Sequence, residues 1–184
     1  MSRIPAIDPK TASGAAKPLL DAVQSALGVT PNLFRVLAQS PKALEGFLGL
    51  YGAAAGFTLD KATQERIALA VAESNACDYC LAAHTAIGRG AGLSSEEVRL
   101  NRRGTSADSR AAAFVALAKA VNDKVGAVSE AEFDAARASG ISDAEMVEVV
   151  AAVAINVFTN ALNKLARTDI DFPRVAPLAA LRAA

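Results

Sequence analysis

The sequence predicts an all-α fold, and three observations carry that prediction. Hydrophobic residues make up 52% of the chain, whereas aromatic residues make up only 5% and tryptophan is absent, so the core must be built from alanine, leucine and valine. Small side chains of this kind favour closely packed helices. Helix-start signals recur at short intervals, and Asn-Gly or Asp-Gly hairpin signals between alternating runs are missing. We expect one domain over residues 1–184, with an N-terminal arm to about residue 13 and a C-terminal arm from about residue 173.

The first half of the chain is predicted to hold four helices before the cysteine-containing segment. Glycine breaks one of them, and proline opens two others in the first turn that it suits. The fourth begins at Asp60 or Thr63 and ends towards Asn75, which is also the predicted N-cap of the next helix. The three earlier helices are predicted over Gly14 to Leu27, with the break at Gly28, over Pro31 to Ala38, and over Pro41 to Gly56.

The second half is marked by capping boxes, in which a hydroxyl and a carboxylate satisfy free amides at a helix start. These pairs are Ser94 with Glu97, Ser129 with Glu132, and Ser142 with Glu145. Gly140 is placed to end a helix in a left-handed conformation. A long helix should run from Ser142 to about Ala166, while the arginine-rich stretch 99–110 is predicted to be a solvated loop.

The charge balance and the apolar patterning exclude several classes of function. The chain has 19 basic and 19 acidic residues, so it lacks the basic footprint of a nucleic-acid-binding protein. The N-terminus has no apolar signal region, and no apolar run approaches the roughly eighteen residues that cross a bilayer. We therefore expect a soluble, cytoplasmic protein without a nucleic-acid or membrane partner. In a reducing compartment, two cysteines separated by two residues indicate redox catalysis or metal binding.

Both cysteines and the only histidine lie within eight consecutive positions, 77–84. On a helix that turns by about 100° per residue, Cys77, Cys80 and His84 share one face within roughly 60° of arc. Cys80 and His84 are neighbours across one turn, which places the imidazole to take the thiol proton. The positive end of the helix dipole favours a thiolate in the first turn. The segment therefore predicts a reactive thiol.

Glu65 is the carboxylate that can join this group. In one straight helix it would lie about 18 Å from Cys77, so a single helix cannot hold the site. If the chain reverses near Asn75, two antiparallel helices place Glu65 opposite residues 84–86. A carboxylate that accepts a proton from one imidazole nitrogen fixes the tautomer and raises the basicity of the other nitrogen. We expect Glu65, His84, Cys80 and Cys77 to act in series.

The order Glu-x11-Cys-x2-Cys-x3-His resembles the alkylhydroperoxidase D-like branch of the carboxymuconolactone decarboxylase superfamily. The likeness includes Gly28-Val29-Thr30-Pro31-Asn32, Ser40-Pro41 and the late helix with Asn156, and it spans about residues 25–172. It implies an AhpD-like helical bundle, with the two cysteines at the start of one helix of an antiparallel hairpin. It also implies a homo-oligomer, a trimer or hexamer, and dithiol peroxidase activity that needs no cofactor or metal.

The resemblance implies a role for each residue of the motif. Cys80 would attack the hydroperoxide and become a sulfenic acid, and Cys77 would resolve it to a disulfide. His84 would shuttle the proton while Glu65 holds the ring, and an external dithiol, a lipoyl group or a thioredoxin-like protein, would reduce the disulfide. Tyr79 stands where the best-studied hydroperoxidases have a second histidine. Its phenol titrates near 10 when unperturbed, so it is expected to support the site by hydrogen bonding and to relay protons poorly.

Other readings of the same residues stay open. The two cysteines can be ordinary buried small hydrophobes. The four side chains can also supply ligands to Zn²⁺, although three ligands on one helix face make tetrahedral closure awkward. The decarboxylase side of the superfamily acts on a lactone acid without a dithiol. A non-catalytic redox sensor or an oligomeric scaffold would carry the same thiol pair.

Overall fold

The protein is described by a computed structural model that covers residues 2–178. Within this range the chain forms nine α-helices and one short 3-10 turn, without any strand, which confirms the all-α prediction. The helices are α1 (Ala16–Leu27), α2 (Asn32–Leu37), α3 (Pro41–Ala53), α4 (Lys61–Ser74), α5 (Asp78–Gly90), α6 (Ser95–Arg102), α7 (Ser109–Asp123), α8 (Glu130–Ala138) and α9 (Asp143–Ala166), and the 3-10 turn is Ala54–Gly56.

Most predicted helix starts are present and use the expected side chains. The Ser129 and Ser142 capping boxes both form completely, and Asp60 caps α4 by accepting the amide of Thr63. Gly28 and Gly140 adopt positive φ angles of 73° and 78°, as their positions after helices predict. Local sequence therefore sets where these helices begin and end.

The capping box predicted at Ser94 forms only in part. The Ser94 hydroxyl accepts the amide of Glu97 at 3.1 Å, but the Glu97 carboxylate is bound by Arg66, Asn101 and Ser106.

Two other local predictions were wrong. Asn75 is the C-cap of α4 and does not cap α5; the N-cap of α5 is Cys77, whose sulfur accepts the amide of Cys80 at 3.4 Å. The chain reverses in between through Ala76, which takes a left-handed φ of 49°. The stretch 99–110 is also not one solvated loop, because α6 includes Arg102 and buries it against Glu73 at 2.8 Å.

Helix α4 is the centre of the bundle and contacts α5, α6, α7 and α9. Its run from Ile67 to Ala72 is buried without a break, so the helix is apolar on all sides over nearly two turns. One cluster of the core joins α4 to α7 and α9, and a second joins α1, α2 and α3 to Ile155 of α9. Alanines in α4 and α5 leave room for the two helices of this hairpin to approach closely.

Helix α9 is, by length and composition, apolar enough to cross a membrane, contrary to the expectation that no such run exists. Its buried positions nevertheless pack against α4 and α7 in the bundle. Asn156, Asn160 and Asn163 are buried inside the protein. These contacts are those of a core helix in a helical bundle. Its outer face exposes the apolar side chains Val147, Val150, Val157, Phe158 and Leu165.

The described parts of both arms lie on their own subunit. The amide of Arg3 donates to the carbonyl of Ala166 at 2.6 Å, next to the end of α9. On the C-terminal side, Arg102 donates to the carbonyl of Ala176 at 2.6 Å, and the amide of Leu178 donates to Glu73 at 2.8 Å. Both arms therefore close over the bundle near the α4–α5 hairpin. Residues 179–184 of the predicted C-terminal arm lie outside the described residues.

Glu97 joins α4, α6 and the connection that follows α6. Its carboxylate accepts from Arg66 at 3.0 Å, from Asn101 at 2.9 Å and from the amide of Ala107 at 3.2 Å, and it also accepts from the hydroxyl of Ser106. Burial opposes ionisation of this carboxyl, but these hydrogen bonds lower its pKa to about 2. A carboxylate that is ionised at neutral pH therefore stabilises the fold.

Replacing Glu97 with Gln should lower the free energy of unfolding by about 2–3 kcal/mol at neutral pH, because a charged acceptor with several donors is lost. The folded-state pKa lies below the ordinary value of 4.5, so this stabilisation is complete above that value and disappears as the pH falls towards 2. Denaturant unfolding at a series of pH values should show that the free energies of unfolding of wild type and variant converge as the pH falls from 4.5 towards 2. Glu96→Gln, an exposed neighbour paired with Arg99, is the control and should change stability by less than about 1 kcal/mol. If the difference in free energy of unfolding between the wild type and Glu97→Gln did not change with pH, the stabilising role of the ionised Glu97 carboxylate would be contradicted.

Candidate active site

The α4–α5 hairpin gathers the residues that the sequence motif contains. Glu65 lies in α4, Cys77 caps α5, and Cys80 and His84 lie in the first two turns of α5. Across the hairpin, Nδ1 of His84 lies 2.8 Å from Oε2 of Glu65. The carboxylate and the imidazole therefore meet as the turn-back near residue 75 predicts.

The Glu65 carboxylate is buried and has a partner on each oxygen. Because an ionised carboxylate only accepts, Nδ1 of His84 donates to Oε2, and Lys61 donates to Oε1 at 2.9 Å. Burial opposes ionisation of Glu65, but His84 and Lys61 hold its pKa below the usual range. Burial also works against a charged His84, yet Glu65 raises the pKa of the ring. Nε2 is then the nitrogen left for proton transfer. Lys61 is a partner that the sequence did not predict.

The two thiols have opposite acidities. A hydrogen bond from the Cys77 thiol lowers the pKa of Cys80 to about 7 against the effect of burial, and the charge of His84 and the amides of Asn163 and Asn160 act in the same direction. The pKa of Cys77 is raised, because its thiol donates to Cys80 and is buried. Cys80 is therefore the thiol that ionises first, and Cys77 keeps its proton.

Within the described part of the chain, no hydrogen bond joins the Cys80 sulfur directly to the imidazole. The sulfur instead accepts a hydrogen bond from the side-chain amide of Asn163, with 3.5 Å between nitrogen and sulfur. Both Cys80 and His84 lie in the wall of one cavity. A water or a substrate held in that cavity would be needed to carry a proton between them.

A stripe of amides on α9 completes the surroundings of Cys80. Asn156, Asn160 and Asn163 follow one another at spacings of four and three residues, which puts them on one helix face. The oxygen of Asn160 accepts from Asn75 at 3.0 Å, while its own amide nitrogen is buried without a hydrogen-bond partner of good geometry and favours the Cys80 thiolate. Sequence reasoning missed Asn160 and Asn163. The signal that could have revealed them is three asparagines on one face of an otherwise apolar helix.

Tyr79 lies beside the cysteines but outside the path between Glu65, His84 and Cys80. Its hydroxyl accepts the amide of Leu33 at 3.1 Å, and its ring makes an edge contact with Phe172 at 5.8 Å between centroids. Burial raises the pKa of the hydroxyl. Tyr79 therefore fixes the start of α2 and the C-terminal segment against α5, and it holds its proton throughout the accessible pH range.

The cavity that contains Cys80 and His84 has a volume of about 320 Å³. Its wall is mainly apolar and aromatic, with Phe34, Phe47 and Tyr51 opposite the hairpin. Lys61, Glu65 and His84 form its polar end. Among the described residues, no group of three or more histidine, cysteine, aspartate or glutamate side chains is arranged to hold a metal ion. The four motif residues therefore form a chain of contacts and do not converge on one point.

Comparisons with known proteins agree with this architecture. Residues 41–123 match the carboxymuconolactone decarboxylase family. The alkylhydroperoxidase AhpD core of an uncharacterized peroxidase-related protein from Ralstonia eutropha JMP134 is 26% identical, with a TM-score of 0.80 and coverage of 92% of each chain.

Two further solved structures share the fold at lower identity. An uncharacterized peroxidase-related protein from Silicibacter sp. TM1040 is 22% identical, with a TM-score of 0.76 over 94% of this chain and 93% of that one. The debrominase Bmp8, solved in complex with 2,3,4-tribromopyrrole, is 21% identical, with a TM-score of 0.78 over 98% of this chain and 96% of that one. No curated protein matches the sequence.

Replacing Asn163 with Leu should raise the pKa of Cys80 from about 7 towards about 8, since a hydrogen bond to a charged group is worth about 1.5–3 kcal/mol. The rate of thiol alkylation as a function of pH measures this value. Asn156→Leu is the matched control, because Asn156 is also buried on α9 but donates to the carbonyl of Ala152 at 2.8 Å. It should leave the alkylation profile within a few tenths of a pH unit. If the alkylation rates of the wild type and of Asn163→Leu had the same pH dependence, the Asn163 amide would not stabilise the Cys80 thiolate.

Proposed function

Because the chain belongs to the alkylhydroperoxidase D-like and carboxymuconolactone decarboxylase superfamily, we propose that it is an enzyme that reduces hydroperoxides with a pair of thiols. One observation carries the proposal: two adjacent thiols with opposite pKa shifts, of which the acidic one, Cys80, faces an apolar cavity. A thiolate is the nucleophile in thiol chemistry, and a neighbouring thiol that keeps its proton can resolve the oxidised product.

The proposed oxidative half-reaction uses the residues in order. The Cys80 thiolate attacks the outer oxygen of the hydroperoxide, the O–O bond breaks, and the leaving alkoxide takes a proton from the imidazolium of His84. The Cys80 sulfenic acid is then attacked by the Cys77 sulfur. The Cys77–Cys80 disulfide forms, and the hydroxyl leaves as water with the Cys77 proton. One hydroperoxide thus yields one alcohol, one water and one disulfide, which an external dithiol reduces.

Glu65 and Lys61 act as positioning residues in this scheme. Glu65 holds Nδ1 of His84, so that Nε2 exchanges the proton, and it favours the imidazolium that the alkoxide needs. Lys61 holds the second oxygen of the same carboxylate and keeps it from turning away. The buried carboxylate therefore sets both the direction and the charge of the imidazole.

The proposal extends to a cytoplasmic homo-oligomer, a trimer or hexamer, reduced by a lipoyl-bearing or thioredoxin-like dithiol. The exposed apolar face of α9 supports an assembly, because large exposed apolar patches mark protein interfaces. The same thiol pair would serve a redox sensor with slow turnover. Turnover with excess hydroperoxide and reductant separates an enzyme from a sensor.

A second candidate is the reductive removal of a halogen from a small aromatic ring. The aromatic wall formed by Phe34, Phe47 and Tyr51, opposite Cys80, favours it. The Cys80 thiolate would attack the halogen, and the ring carbanion would take the proton of His84. The Cys77 sulfur would then displace halide and release its proton to solvent as the disulfide forms. Release of halide from a brominated pyrrole, measured beside alcohol formation from an organic hydroperoxide, separates the two reactions.

Cys80→Ser should abolish hydroperoxide consumption and leave the helical content and the melting temperature close to those of the wild type. Cys77→Ser should consume one equivalent of hydroperoxide and then stop, with a sulfenic acid on Cys80 that a dimedone-type reagent traps. Mass spectrometry of the labelled protein measures both results. Sustained turnover by Cys80→Ser, or a trapped sulfenic acid on Cys77, would reverse the roles of the two thiols.

Glu65→Gln should slow the reaction of Cys80 with hydroperoxide by at least about tenfold, because the imidazole loses its charged partner. The wild-type rate should rise with pH through about 7, where Cys80 ionises. In the variant the rise should occur at higher pH, since His84 is then less often charged beside the thiolate. Lys61→Gln retains the contact between Glu65 and His84 and should cost less than about fivefold. A pH profile unchanged by Glu65→Gln would exclude the carboxylate from the mechanism.

A further inference from the structure

A second cavity of about 380 Å³ lies on the other side of the thiol pair. It is bounded by the α4–α5 turn, the end of α9 and the segment that follows α9. Cys77 lies in its wall, whereas Cys80 lies in the wall of the apolar cavity. Tyr79 and Asn163 border both cavities and separate them. The two sulfurs of the future disulfide therefore face different spaces.

Two buried polar atoms in this wall lack partners. Thr168 is 6% exposed, and its hydroxyl oxygen makes no hydrogen bond within the described structure. The side-chain oxygen of Asn163, which is 4% exposed, is also unpartnered. A buried polar group left unsatisfied costs about 1–3 kcal/mol, so such groups generally face a ligand or water. Asp78, Arg167 and Arg174 line the same cavity, so its wall suits a polar occupant.

We propose that this polar cavity is the site where a thiol reductant enters and attacks the sulfur of Cys77 in the Cys77–Cys80 disulfide. The inference rests on the proposed dithiol cycle and adds the direction and place of its reductive half. The occupant is a slender dithiol, either free or at the end of a flexible arm, because a volume of this size suits a small molecule and excludes a folded domain. Oxidant and reductant then reach the site from opposite sides.

The acidities of the two thiols favour attack on Cys77. In thiol–disulfide exchange, the sulfur with the lower pKa leaves faster. Attack on Cys77 releases Cys80, whose thiolate is stabilised by Asn163, Asn160 and His84. Attack on Cys80 would instead release Cys77, whose surroundings disfavour the thiolate. Both the position of the cavity and the better leaving group select the same sulfur.

The reductive sequence balances with one dithiol. Its first thiol releases a proton to solvent, from which His84 regains the proton that it gave to the alkoxide. The resulting thiolate attacks the Cys77 sulfur, the S–S bond breaks, and Cys80 leaves as a thiolate. The second thiol of the reductant then attacks the mixed disulfide on Cys77 and gives up its proton to the departing Cys77 sulfur. The dithiol is oxidised to a disulfide and the enzyme is restored with Cys77 protonated and Cys80 ionised, which is the form that reacts with the next oxidant.

The rim carries more basic than acidic side chains. Lys164, Arg167 and Arg174 border the cavity together with Asp78 and Asp169, and Asp169 is engaged by Ser2. A thiol that bears a negative charge elsewhere in its structure is therefore favoured over a neutral one of the same size. The wall of the apolar cavity has no comparable set of lysine and arginine side chains, since its Lys61 is paired with Glu65.

The first test identifies the sulfur that the reductant attacks. Full-length protein oxidised to the disulfide with diamide is mixed with a monothiol, quenched in acid and alkylated, and the site of the mixed disulfide is read by tandem mass spectrometry. The expected product carries the monothiol on Cys77 and the alkyl group on Cys80, and the reverse pattern overturns the inference. Diamide replaces the hydroperoxide in this test. If the protein forms the expected product but does not consume hydroperoxide, only the proposed oxidant is disproved. Failure to form the disulfide disproves both.

The second test identifies the route. Arg174→Glu places a negative charge at the rim of the polar cavity, and the matched control Val29→Glu places one at an exposed position in the wall of the apolar cavity. The measurement is the ratio of the rates at which 3-mercaptopropionate and neutral 2-mercaptoethanol reduce the diamide-oxidised protein. This ratio should fall about threefold in Arg174→Glu and stay at the wild-type value in Val29→Glu. A fall confined to Val29→Glu would place the reductant in the apolar cavity.

Discussion

The contact between Glu65 and His84 is the constraint on which the rest of the site depends. A carboxylate this deeply buried is costly unless its charge is balanced and both oxygens are hydrogen-bonded, and His84 and Lys61 meet that requirement. The contact fixes the register of α4 against α5, because sliding either helix by one residue would separate the two groups. The sharp reversal through Ala76 is what allows this register. Packing, electrostatics and the position of the thiols are thus set by one hairpin.

The hairpin alone does not decide which thiol reacts. Cys77 occupies the cap position, where its sulfur accepts the amide of Cys80, and its thiol donates in turn to the Cys80 sulfur. Helix α9 supplies the remaining difference, because the amides of Asn163 and Asn160 favour the Cys80 thiolate. Three buried asparagines weaken the core unless they are used. Two of them, Asn160 and Asn163, stabilise the anion of Cys80, while Asn156 donates to the carbonyl of Ala152.

The sequence predicted those features that depend on residues close together in the chain. Helix caps at Asp60, Ser129 and Ser142, the hairpin and the meeting of Glu65 with His84 all follow from spacing and helix geometry. The cap of α5 was misplaced because asparagine is normally the better capping residue, whereas the three-residue turn puts Cys77 at that position. Arg102 and Asn163 were missed for a different reason. Their partners Glu73 and Cys80 are 29 and 83 residues away, so only the packing of α6 and α9 on the hairpin reveals them.

Tyr79 occupies the position between the two cysteines and determines how the two cavities meet. Its hydroxyl is bound to the start of α2 and its ring to Phe172, so the position between the cysteines acts as a wall that separates the apolar cavity from the polar one. In the proposed cycle, His84 serves the proton transfers on the oxidant side, since it would accept the Cys80 proton before it donates to the leaving oxygen. On the Cys77 side, the first thiol of the reductant would enter as a thiolate, and its second thiol would bring the proton that Cys77 takes. Tyr79 therefore lies between the spaces that we propose for the oxidative and the reductive half-reactions.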